Sequence, residues 1–153
     1  MEPLIETWTI AATMNEYLLK AIADDHLRDV ASAKGRNAGE QFAHLHNVRL
    51  MWIKVAMPEL LSGQKKFEKE HLPAKNELIT ELRNSTKAIE EIIRSGMETG
   101  RVKGFKPHVQ AFVGYMIAHE AHHRGQIIQI LKENGHLPDK KILYGLWEWG
   151  TQK

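Results

Sequence analysis

The chain has no cysteine among its 153 residues. That absence excludes disulfides, thiolate metal ligands and a cysteine nucleophile. Any metal must be held by nitrogen and oxygen, and any thiol chemistry must use a thiol supplied from outside. No apolar run approaches the roughly 20 residues that span a bilayer. The net charge of only +2 is not gathered into a basic run, so nothing argues for a nucleic-acid partner. Strand-like alternation is missing, as are repeats, linkers and low-complexity tracts. The opening "MEPLIETWTIAATMNEY" has an acidic second residue and no basic patch, unlike a signal peptide. These absences set the expectation of a soluble cytoplasmic protein with one domain over residues 1–153.

What is present is helix. Apolar residues make up 42% and charged residues 26%, enough for one buried core without staples. Four long segments carry apolar residues at three- and four-residue steps. The first is expected over about residues 3–24, with Leu4, Trp8, Ala11, Leu18 and Ile22 on one face. The second starts near Asn37, an N-cap with Glu40 three residues on, and runs to about Met57. The third runs from about Pro73 to Ser95. The fourth runs from near Pro107 to about Asn134, with Gly135 as its C-terminal cap. A short aromatic tail, "KILYGLWEWG", follows Pro138. Such helices bury their faces best against one another. The expected fold class is all-α, a four-helix bundle with a short C-terminal aromatic segment.

Histidine is the chemically informative residue. Three of the nine fall within five positions, in "IAHEAHHRGQ". On a helix advancing about 100° per residue, His123 lies about 40° from His119. Phe112 and Ile130 lie about 20° from it and Met116 about 60°. His119 and His123 thus share an apolar stripe, one turn apart, while His122 points toward the flank. On the second helix His44 shares a stripe with Val48, Met51 and Val55, and His46 lies nearly opposite, on a polar side with Arg49. Three imidazoles, His44, His119 and His123, are thereby aimed at the bundle interior. Burying them is costly unless their nitrogens find partners. Hydrogen-bonded core or flank histidines would meet that need. A shared metal would too, and an i, i+4 pair has the spacing to chelate one ion.

"HEAHH" also satisfies the zinc-protease pattern H-E-x-x-H. In the longer pattern the glycine and third histidine would stand at positions 126 and 129, which are Gln126 and Gln129. Glu133 falls off the stripe, Glu148 sits in the tail, and no strand is available to grip a peptide. The protease reading is set aside.

"EQFAHLHNVRLMW" followed by "IAHEAHHRGQIIQIL" and a closing "LWEWG" resembles the DinB/YfiT-like superfamily of metal-dependent four-helix-bundle proteins. The resemblance implies a divalent ion, zinc or nickel, on His44, His119 and His123. Asn47 stands where many relatives have an aspartate. Relatives of known chemistry transfer low-molecular-weight thiols to electrophiles, many others have no assigned activity, and homodimers are common.

Three neutral imidazoles would leave an ion's charge unneutralised and a coordination position open, as in catalytic rather than structural sites. The expected chemistry is attack by a small-molecule thiol on a small electrophile, with hydrolysis the nearest alternative. Glu120 is a candidate general base, although such a glutamate is more often a solvated helix residue. Asn47, Trp52, Tyr115 and Arg124 are candidate pocket residues. Trp8 is expected in the core or a pocket wall, and Gly125 where a neighbouring helix approaches. His26, His71, His108 and His136 fall near loops and receive no role. A non-catalytic metal-binding or stress-response bundle, and an interaction bundle without metal, are the competing classes.

Overall fold

Helix α1 runs Pro3–Lys20, α2 Ala38–Ala56, α3 Lys75–Thr99, α4 Val109–Glu133 and α5 Lys140–Gly145. They come from a computed structural model, which describes residues 1–151. Single 3-10 turns at Asp24–Arg28 and Pro58–Leu61 interrupt the connections. Among the described residues there is no strand, and no helix is long and apolar enough to cross a membrane. The four long helices form a bundle in which α1 and α2 each pack along both α3 and α4.

The helix boundaries follow local chemistry. Asn37 and Glu40 form a reciprocal capping box at the start of α2, satisfying two backbone N–H groups that the helix cannot. His108 caps α4 by accepting from the Ala111 N–H at 3.2 Å, a role outside the sequence reading. Gly135 takes a left-handed φ of 76° just past α4, where a side chain would be strained. The first helix ends at Lys20, four residues short of expectation. Ile22 nevertheless stays buried, because the chain turns back over the bundle end through the 3-10 segment.

Two apolar clusters fill the interior. One gathers Leu18, Phe42, Leu45, Leu78, Leu82 and Ile127, and the other Trp8, Ile53, Ile89, Ile92, Phe112 and Met116. Between them lies a polar layer with one residue from each long helix: Asn15, Arg49, Ser85 and Glu120, all buried. Arg49 Nε and Nη2 donate to the two Glu120 oxygens at 2.7 and 2.8 Å. Arg49 Nη1 donates to Leu82 O, Ser85 Oγ and Thr86 Oγ1. Asn15 Nδ2 donates to Glu120 at 2.7 Å, and Arg124 donates to Asn15 Oδ1 at 2.8 Å. A charge pair this deep is tolerable only because its remaining hydrogen-bonding capacity is so fully used.

This layer corrects the orientation expected for α2. His46 and Arg49 are buried, whereas Met51 is 65% exposed and Val55 is exposed as well. The apolar stripe of α2 marks its open flank, and its polar side faces inward because partners on α3 and α4 are waiting there. His46 is clamped between Ser85 Oγ at 3.0 Å and Lys65 O at 2.7 Å. Gly125 differs too: no side chain or neighbouring backbone would meet a Cβ there within 4 Å, so it mediates no close helix approach.

Candidate metal centre

His44 is half-buried on the open flank of α2, rather than pointing into the interior, and it faces α4 there. His119 is half-buried and His123 buried on α4. Ring centroids lie 5.5 Å apart for His44 and His119, 4.5 Å for His44 and His123, and 4.6 Å for His119 and His123. One nitrogen from each ring falls within 4.8 Å of the others. The three rings converge as ligands of a single ion must, and would close further on it to reach Zn–N bonds of about 2.0–2.1 Å.

The donor chemistry fits a cation. Burial, then the Arg36 charge and the neighbouring His119, push the His44 imidazole down to about 4. Burial, then His44, His119 and His122, push His123 down to about 4 as well. His119 is also lowered, chiefly by burial. All three rings are therefore neutral near pH 7, the form that offers a lone pair. His123 Nδ1–H donates to Gln41 Oε1 at 2.8 Å, which leaves Nε2 as the free donor atom. Nδ1 of His119 is buried with no hydrogen-bond partner. A bound ion would relieve the cost of such an orphaned nitrogen.

Gln41 was missed by sequence reasoning. Its Nε2 donates to Gln126 Oε1 at 3.1 Å, and Gln126 Nε2 stands 3.2 Å from His122 Nε2. A chain of side chains thus runs from the buried His123 to the exposed flank. The only sequence signal was polar residues at positions facing the stripe.

The remaining candidates are engaged by other partners. Glu120, 1% exposed, is neither solvated nor free, since both its oxygens accept from Arg49. Asn47 borders the cleft beside His44, but its amide is committed to the Phe67 backbone: Nδ2 donates to O at 2.9 Å, and Phe67 N donates to Oδ1 at 3.0 Å. Trp52 and Tyr115 pack edge-on with each other at 5.7 Å, and Phe105 and Phe112 join them. Tyr115 remains exposed, while Trp8 is fully buried in the core. Arg124 sits on the opposite side, lining a groove with Ile117, Ile128 and Trp147; its partner is Asn15 rather than an acidic residue. His26 and His136 stack at 3.4 Å, with His136 Nδ1 2.6 Å from Asp29 Oδ2.

The DinB family model matches residues 2–150. The chain belongs to the DinB family. Comparison with curated proteins finds no match. Family membership and the histidine triad together describe a DinB-like protein equipped to bind a divalent metal.

Proposed function

We propose that this DinB-like protein holds one divalent ion, zinc or nickel, on His44, His119 and His123. We further propose that it uses the ion to transfer a small-molecule thiol to a small electrophile. The observation that carries the reading is the convergence of three neutral imidazoles from two helices, within 4.8 Å of one another. Such an ion supplies Lewis acidity that favours a thiol in its thiolate form. The protein's contribution is placement. Gln41 fixes the tautomer and orientation of His123, as metal-binding histidines usually require. The polar layer below keeps α2 and α4 in register, so that His44 meets the α4 pair. Arg49 and Asn15 occupy Glu120, which is assigned a positioning role instead of proton transfer. The thiol proton leaves to solvent along the open α2–α4 flank. The sulfur then bonds to the electrophilic carbon as that carbon's bond to chlorine or epoxide oxygen breaks. Its electron pair goes to chloride, which departs, or to the oxygen, which takes a proton from water. With water in place of the thiol, the same geometry supports hydrolysis.

Metal analysis of the untagged, dialysed protein tests the first half. About one equivalent per chain is expected, and His119→Ala should lose it. Retention of a full equivalent by His119→Ala would overturn the ligand set. Thiol consumption with chloro- and epoxy-electrophiles tests the second half, and a metal-loaded protein without turnover would be a holder rather than an enzyme.

A further inference from the structure

A cleft of about 270 Å³ adjoins the triad on the α2 side, with His44 and Asn47 in its wall. Arg36, Lys66 and Lys69 also line it. Among the described residues none of these three cationic side chains has a hydrogen-bonding or ion-pairing partner. Two acids, Glu40 and Glu68, share the lining, and Glu40 also holds the α2 cap, so three cations face two carboxylates and the lining keeps a net positive charge. The basic loop is held in place by α2 itself. His46 binds the carbonyl of Lys65, and Asn47 grips both backbone groups of Phe67. Lys66 and Lys69 are therefore presented over the cleft by a built attachment.

The charge balance of the centre points the same way. Its three imidazoles contribute no negative charge. Glu120, next to His119 in sequence, is neutralised by Arg49. Asn47, in the cleft wall beside His44, is an amide and adds no negative charge there. A divalent ion here would keep its whole charge and lie next to a lining of three cations and two carboxylates, which adds a net positive charge. Low-dielectric walls focus such a field. A neutral or cationic guest gains nothing from it.

Building on the metal reading above, we infer that the cleft takes the anionic arm of the thiol, so that the substrate is a thiol bearing a carboxylate a few bonds from its sulfur. Sulfur sits at the triad and the carboxylate extends under Arg36, Lys66 and Lys69.

The test uses the zinc-loaded protein, with zinc stoichiometry measured first. 3-Mercaptopropionate, 2-mercaptoethanol and cysteamine are titrated calorimetrically. The carboxylate thiol should bind about tenfold tighter than the neutral one and the cationic thiol weakest, with the preference shrinking in high salt. The triple variant Arg36→Gln, Lys66→Gln, Lys69→Gln changes only exposed side chains, and it should erase the preference while keeping zinc. Equal binding of the three thiols, or an unchanged preference in the triple variant, would overturn the inference and leave the metal reading standing. If the protein binds no zinc, the metal reading fails instead. The cleft is then judged on succinate titrated into the metal-free chain: binding that weakens in the triple variant supports it, and binding that does not overturns it.

Discussion

The Nδ1–H of His123 donates to Oε1 of Gln41 across 2.8 Å, joining α4 to α2 by side chains 82 positions apart. This bond selects one tautomer and leaves the Nε2 lone pair free. Removing the acceptor leaves a buried N–H unsatisfied and frees the ring to rotate. Gln41→Leu is therefore expected to weaken zinc binding about tenfold or more, with little change in helix content. Competition against a chromophoric chelator measures it, and unaltered affinity would mean the triad needs no such support.

The Arg49–Glu120 pair makes a separate prediction about stability. Removing one partner leaves an uncompensated buried charge, at a cost of about 3 to 5 kcal/mol. Arg49→Met should lose that much in urea denaturation. Arg49→Met combined with Glu120→Leu should recover a large part, because both charges are then gone. If the double variant is as unstable as the single one, packing around Arg49, including its stack over Trp8 at 5.0 Å, matters more than charge.

How much of this was legible beforehand depended on the reach of each interaction. The Asn37–Glu40 box spans three residues and could be read directly. The His119–His123 pair lies one turn apart on one helix, so its shared face followed from geometry. The orientation of α2 did not. An apolar stripe normally marks the buried face, yet the inward side of α2 carries Arg49 and His46, whose partners Glu120 and Ser85 lie 71 and 39 positions away. Nothing local signals such pairings. His44 stands beside the α4 pair all the same, not from the interior as its stripe implied but because the flank it occupies borders α4.

The depressed imidazoles predict a pH dependence with a definite sign. Folded His44 and His123 titrate at about 4, whereas in the unfolded chain they titrate near ~6.5. Between those values the unfolded chain binds protons that the folded one refuses. Stability of the metal-free protein therefore falls as pH drops from about 6.5 toward 4, and this contribution is flat above that window. Thermal melts across the range check it. A His44→Phe, His123→Phe double variant should show a shallower slope, and an equal slope would assign the acid sensitivity to other groups.

The C-terminal segment offers the last prediction. Gly145 is buried where α5 crosses α1, and a Cβ there would stand 2.6 Å from Cζ of Tyr17 and closer still to its hydroxyl. Tyr17 is half-buried against the core and its ring also borders a cleft, so either the ring shifts or α5 moves. Gly145→Ala is expected to push α5 outward, loosening Leu146, which is buried in the same cluster. The four long helices and the triad lie elsewhere and should persist. Limited proteolysis should cut the tail several-fold faster in Gly145→Ala, while helix content and zinc stoichiometry stay constant. Adding Tyr17→Ala opens space for the new methyl and should slow cleavage again. If Gly145→Ala is no more susceptible than the parent chain, the contact with Tyr17 is too compliant to anchor the tail. If it loses zinc as well, the segment braces the metal centre from the far side of α4.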